Sequence, residues 1–278
     1  MNDTTMQDHT SGPIHRQVEQ VMGMPISVAM RGRHAGTPAG SDAWQAVIAE
    51  LRDVETIFST YRNDSIVSRL SRGELTPDDC PAAVREVLEL GREAERQTAG
   101  AFSIFLPGKD GERRLDPSGV VKGWAVERAS RLLAELDDTD FCLSAGGDMA
   151  CHVADPDRDA WRVGIEDPHR PASLIAVVPV RSGAVATSGT AHRGAHLIDP
   201  RDGSRPSAVA SVTIIAASLT WADIDATAAF VQGSGATRWL EGRPIRSAVV
   251  AWADGTTTVI DVGRDRARDA SDELPTAR

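Results

Sequence analysis

Phe141-Cys142-Leu143-Ser144-Ala145-Gly146-Gly147-Asp148-Met149-Ala150-Cys151-His152-Val153 marks the point where the chain changes character. Before it the apolar residues recur at helical spacing; after it they fall in short runs separated by Gly, Asp and Pro. Phe141–Leu143 and Met149–Val153 read as two strands, and Gly146-Gly147-Asp148 suits the tight turn of a hairpin as well as the close approach of a ligand to the backbone. A block of helices followed by antiparallel strands is the pattern of an α+β fold, not of a doubly wound α/β sheet.

Upstream, Val18 to Met30 alternates as a strand or hairpin arm interrupted at Gly23 and Pro25. Ser41 and Asp42 stand as caps for a helix in which Trp44, Val47, Ile48, Leu51, Val54 and Ile57 repeat every three or four residues up to Phe58. Pro81 to Thr98 reads as a second helix, with Val84, Val87, Leu88 and Leu90 on one side and Gly100 beyond its end, and Lys122 to Leu136 as a third. Downstream, Trp161–Ile165, Ser173–Val180, Gly183–Thr187 and Ala210–Ala216 extend the strands into an antiparallel meander. Helices over Trp221–Val231 and Thr237–Gly242 precede a closing hairpin, Ser247–Trp252 and Thr257–Val262, turned at Asp254-Gly255.

The chain has 278 residues, 41% of them hydrophobic, enough for a full core. Residues 1–17 are polar and unpatterned, and 264–278 are highly charged, so both ends are expected to be disordered around a body at 18–263. Met1 to Arg16 lacks the basic start and apolar middle of a secretory signal, and no long apolar run follows. A cytoplasmic protein without membrane insertion is the expectation. Cys80, Cys142 and Cys151 are too few and too irregular for a disulfide framework or a zinc site, and are expected to be buried, reduced thiols. A net charge of −10 argues against nucleic-acid binding, which needs a basic surface. With no heptad repeat or long apolar stripe, a monomer or weak dimer is expected.

Four groups of residues carry chemistry. Asp116-Pro117-Ser118-Gly119 leads into the helix of Lys122, and such a start attracts phosphate, although the same residues make an ordinary turn with a solvated lysine. Asp148 follows the paired glycines. Asp223 and Thr227, four apart, share a helix face and offer a carboxylate and a hydroxyl, ligands that Mg²⁺ accepts; a first-turn acid beside a packing threonine is the plainer alternative. Asp225 is turned away from Asp223 by this geometry. His196, in Ala195-His196-Leu197-Ile198 before Asp199-Pro200, stands at a strand end where a catalytic group or a structural histidine is equally at home. A divalent cation and a phosphorylated small molecule are what the combination suggests.

Taken in order, these pieces resemble the ApbE family of flavin transferases, the FAD:protein FMN transferases. The resemblance runs through Met22-Gly23-Met24, Phe58-Ser59-Thr60-Tyr61 with Ser65, Gly100-Ala101-Phe102, Asp116 to Trp124, Gly146-Gly147-Asp148, Thr187-Ser188-Gly189, His196 to Pro200 with Gly203, and Ala222-Asp223 to Thr227. It departs from the family at Thr190-Ala191-His192 and at Ser103. The resemblance implies an ApbE-like, T-fold-like α+β body that binds FAD as substrate with Mg²⁺. A Ser or Thr hydroxyl of an acceptor protein would attack the phosphorus of the FMN half and release AMP; water in its place would make the enzyme an FAD pyrophosphatase, and loss of turnover a non-catalytic FAD-binding protein. Carried over by residue, His196 matches the base, and Asp223, Thr227 and a backbone carbonyl near Gly119 match the metal ligands. Met24, Tyr61, Phe102, Asp116, Lys122, Gly146, Gly147, Asp148 and Ser188 fall where the family contacts flavin, ribose or phosphates.

Overall fold

A computed structural model describes residues 13–108, 112–170, 172–190 and 197–262. The chain opens with a hairpin, β1 (His15–Val21) and β2 (Met24–Gly32), turned at Met22-Gly23. β1 begins three residues before the expected Val18, inside the stretch read as unpatterned. Its residues are mostly polar and exposed, and what recruits them is the backbone ladder to β2, His15 opposite Met30, which needs no apolar side chains.

Helix α1 (Pro38–Phe58) starts earlier than Ser41: Thr37 is the cap, its Oγ accepting the Gly40 N–H at 3.3 Å, and Pro38 occupies the first turn. Trp44, Val47, Ile48, Leu51, Val54 and Phe58 are its buried face, as the spacing implies, while Ile57 at its edge is only half-buried. A short helix α2 (Ile66–Ser71) follows, unforeseen because six residues carry too little periodicity; Ser65 caps it by accepting the Ser68 N–H at 3.0 Å. Then come α3 (Ala82–Gln97), a small pair β3 (Phe105–Pro107) and β4 (Arg113–Leu115), and α4 (Ser118–Ala134). α4 begins four residues before Lys122, so the lysine sits in its second turn.

The remaining strands are β5 (Thr139–Ala145), β6 (Asp148–His152), β7 (Trp161–Glu166), β8 (Leu174–Val180), β9 (Ser182–Gly189), β10 (Val209–Ala216), β11 (Ser247–Trp252) and β12 (Thr257–Asp261), with α5 (Leu219–Gln232) and α6 (Ala236–Glu241) between β10 and β11. The meander is not continuous. Eight strands form one antiparallel sheet in the order β1-β2-β5-β6-β9-β10-β11-β12, and β7 with β8 leaves it as a separate hairpin. The reason is in the side chains: Trp161, Val163 and Val180 join Cys151, Val185 and Ile215 in a small second core. Val185 and Ile215 alternate with Ala184, Ala186 and Ile214 of the main core, so helices cover one face of the sheet and the β7–β8 hairpin packs on the other.

α5 is the central helix, buried on nearly every side and built largely of small residues: Ala222, Ala226, Ala228 and Ala229. Two aspartates lie within it. Asp225 does face away from Asp223; Arg243 grips its carboxylate at 2.7–3.1 Å and also donates to Gln97 Oε1 at 3.0 Å. Burial raises the Asp225 carboxyl above the ordinary range, against the pull of Arg243.

Of the three thiols, Cys80 and Cys151 are buried as expected, but Cys142 is only half-buried. No helix among the described residues is long and apolar enough to cross a membrane.

Candidate functional site

The β5–β6 turn fixes the first part of the site. Gly146 and Gly147 both take left-handed conformations, φ 58° and 102°, the two-residue turn that glycine adopts without strain. Both are exposed, a Cβ at Gly147 would meet nothing, and the Gly146 N–H donates to Pro25 O at 3.1 Å, tying the turn to the start of β2 beside the half-buried Met24. The turn aims Asp148 at the helical face. Its Oδ1 accepts the Thr187 N–H at 2.9 Å, and its Oδ2 lies 2.5 Å from Lys122 Nζ.

Lys122 reaches a second carboxylate, Asp223 Oδ1, at 3.3 Å. All three side chains are largely withdrawn from water, 17% exposed for Lys122, 2% for Asp148 and 4% for Asp223, so their attraction is screened far less than at a surface. One turn along α5, Thr227 Oγ1 is hydrogen-bonded to Ser188 Oγ at 2.8 Å. Lys122, Asp148, Ser188, Asp223 and Thr227, from four elements, thus converge on the sheet end nearest α4 and α5.

Two residues that the sequence did not single out hold this convergence. A Cβ at Gly123 would lie 3.0 Å from Leu219 O, 3.1 Å from Thr220 Cα and 3.2 Å from Asp223 Cβ; the bare backbone is what lets α4 approach α5. Glu127, one turn on, accepts at 2.8 Å from Ser218 Oγ, Thr220 N and Thr220 Oγ1, capping α5 from α4. Gly123 could have been suspected from its place one residue after Lys122. Glu127 could not, because its partners are distant in sequence and belong to no local motif. Gly123→Val is expected to cost about 1–3 kcal/mol of stability by forcing the helices apart. A urea melt measures it, and a wild-type midpoint would show the crossing has slack.

The other predicted contacts are dispersed. Phe102 is buried, 4% exposed, its ring 3.0–3.1 Å from where a Gly119 Cβ would stand, so it walls the start of α4 instead of offering a face to solvent. Gly119 is exposed in the first turn of α4, where its carbonyl already points along the helix. Asp116 Oδ1 accepts the Ser118 N–H at 3.1 Å and the Ser118 hydroxyl, so a carboxylate occupies the helix start whose spacing suggests a phosphate site. Attraction for an anion falls to Lys122. Tyr61 is 98% exposed on the loop between α1 and α2 and makes no contact with the cluster. Ser103 accepts from Phe105 N and Arg113 Nη2 at 3.0 and 2.9 Å, a local packing role.

His196 lies outside the described residues. The chain resumes at Leu197, packed on the main core, and Asp199 is then bound by Arg201 through its N–H, Nε and Nη2 at 2.6–3.1 Å. The guanidinium holds the Asp199 carboxyl below the usual range. The Arg201 stem lies against Gly100, 3.4 Å from where a Cβ would be.

Among the described residues no three His, Cys, Asp or Glu side chains gather as a metal cluster. The donor set of Asp223 and Thr227, all hard oxygen with one carboxylate, fits an ion that keeps waters and shares a ligand's phosphate oxygens, which is how Mg²⁺ is usually held.

An antiparallel sheet covered on one face by helices, with a lysine, two carboxylates and paired hydroxyls gathered where α4 and α5 meet it, defines an α+β protein with a charged, largely buried cluster. Residues 22–108 and 106–250 match the ApbE family model. The chain belongs to the ApbE family and is an enzyme of the transferase class. It is 30% identical over 275 residues to a Salmonella typhimurium protein named FAD:protein FMN transferase, covering 74% of this chain and 78% of that one. A Haemophilus influenzae protein of the same name is 23% identical over 274 residues, covering 77% and 79%. The fold matches the crystal structure of Pseudomonas stutzeri flavinyl transferase ApbE, apo form, with a TM-score of 0.75 at 23% identity over 93% of this chain and 99% of that one. The ApbE protein of Thermotoga maritima also gives 0.75, at 19% identity over 91% and 98%.

Proposed function

We propose that this enzyme is a Mg²⁺-dependent FAD:protein FMN transferase. The oxygen of a Ser or Thr hydroxyl on an acceptor protein bonds to the phosphorus of the FMN half of FAD, the pyrophosphate P–O bond to the AMP half breaks, and AMP leaves. His196 takes the hydroxyl proton. The observation that carries the reading is the meeting of Lys122, Asp148 and Asp223 with the Ser188–Thr227 hydroxyl pair in a chain whose relatives bear that name.

Asp223 and Thr227 would hold the cation, with a backbone carbonyl near Gly119 as a third ligand. Held there, Mg²⁺ would supply positive charge to offset that of the pyrophosphate. Lys122 adds a positive charge at the same place, oriented by Asp148, which is itself anchored by the Thr187 N–H. Gly146 and Gly147 leave room for FAD against the backbone, and Met24, Tyr61, Phe102, Asp116 and Ser188 supply contacts to flavin, ribose or phosphate. Tyr61 has the exposure to move onto a ligand; Phe102 acts by shaping the wall.

Purified protein with FAD and Mg²⁺, with and without an acceptor domain bearing a candidate Thr, tests the reading. The expected result is AMP release that requires the acceptor, an acceptor heavier by one FMN, and loss of both on adding EDTA. AMP without acceptor would make the enzyme an FAD pyrophosphatase instead, and FAD binding without AMP across acceptors would leave a flavin carrier.

A further inference from the structure

The two cysteines of the β5–β6 hairpin lie directly opposite each other, Cys142 against Cys151, with their sulfurs 3.4 Å apart. The two-residue turn makes Ala145 and Asp148, which flank it, a hydrogen-bonded pair. Pair types alternate along an antiparallel ladder, so Ser144–Met149 is non-hydrogen-bonded, Leu143–Ala150 hydrogen-bonded and Cys142–Cys151 non-hydrogen-bonded. In that type of pair the Cα atoms are about 4.5 Å apart and the side chains closest, inside the span a disulfide bridges.

Both sulfurs point to the sheet face covered by β7 and β8, opposite Asp148 and the helices, and belong to the second core with Trp161 and Val163. Cys80 is elsewhere, its thiol donating to Thr76 O at 3.3 Å. The paired thiols are also unequal. The Cys151 S–H donates to Cys142, which lowers the Cys142 thiol and raises its own, while burial raises both; Cys142 is also the more exposed.

We propose that Cys142 and Cys151 are a thiol oxidation site, converted by a hydroperoxide into a cross-strand disulfide. The Cys142 sulfur attacks the peroxide, the O–O bond breaks, and Cys142 sulfenic acid forms with release of one water. The Cys151 sulfur then attacks the Cys142 sulfur, expelling the hydroxyl as a second water. Two thiols and one hydrogen peroxide give one disulfide and two waters; the thiols lose two electrons and the peroxide gains them. The sulfurs close by roughly 1.4 Å to reach bonding distance, a change that side-chain rotation at a non-hydrogen-bonded pair accommodates. This site is independent of the flavin-transfer reading and uses none of its residues.

The test is the full-length reduced chain treated with equimolar hydrogen peroxide, then unfolded, alkylated and weighed. Alkylatable thiols are expected to fall from three to one, with a peptide linking Cys142 to Cys151. The melting temperature is expected to rise by roughly 5 °C from the closed loop. Cys80→Ser should form the same link, and Cys151→Ser should stop at a Cys142 sulfenic acid that dimedone labels. Three thiols surviving in the wild type, a link through Cys80, or Cys142 driven to sulfinic acid with Cys151 still free would overturn the proposal, and these wild-type readouts hold even where a variant folds poorly.

Discussion

Asp223→Asn is expected to lower the proposed FMN transfer by about a thousandfold, some 4 kcal/mol of transition-state stabilisation, while leaving the fold in place. The substitution keeps shape and volume inside α5, so the close packing against Gly123 survives. What disappears is a negative charge, 4% exposed and 3.3 Å from Lys122, at the point where cation and pyrophosphate are proposed to meet. Lys122 retains Asp148 at 2.5 Å, and Glu127 still joins α4 to the start of α5, so the helix contact keeps a polar anchor. Steady-state rates over a Mg²⁺ titration, alongside a thermal melt, separate the two effects. Wild-type rates at saturating Mg²⁺ would remove Asp223 from the site.

His196→Ala is the second large effect. A base in contact with the attacking hydroxyl contributes about 10²–10⁴-fold, and its loss should appear in the transfer step alone. FAD affinity is expected to stay within a few-fold of wild type, because the proposed binding groups lie elsewhere, on β2, β6, β9, α4, α5, the β5–β6 turn and the loops of Tyr61, Phe102 and Asp116. Single-turnover transfer with a parallel FAD titration gives both numbers. Transfer at the wild-type rate would take His196 out of the mechanism, and a matching loss of FAD affinity would make it a binding residue.

Much of the fold was legible in the sequence because local physics determines it. The Gly146-Gly147 turn, the buried faces of α1 and α3 and the closing hairpin each follow from residues close in sequence. The early start of α1 was legible too, in Thr37-Pro38, a cap followed by a first-turn proline that outranks Ser41-Asp42. The departure of β7 and β8 was not, since alternation marks a strand without saying which sheet it joins. The same limit applies to the site. Asp223 and Thr227 share a face by spacing alone, but the Ser188–Thr227 bond and the Thr187–Asp148 bond each join residues 39 apart, and only the packing of α5 on β9 and the pairing of β6 with β9 bring them together. Tyr61 and Phe102, placed by resemblance, show how one pattern of residue types gives one side chain in water and another in the core.

The run of alanines in α5 bears on how this protein can change over time. Small side chains on its flanks let the helix lie close beside α4, where Gly123 meets Leu219, Thr220 and Asp223, and against β9 and β10. Larger residues at Ala222 or Ala226, both buried, would act as shims, displacing α5 and with it Asp223 and Thr227 together. Change is therefore expected to accumulate in the exposed loops, while the alanines of α5 stay as they are.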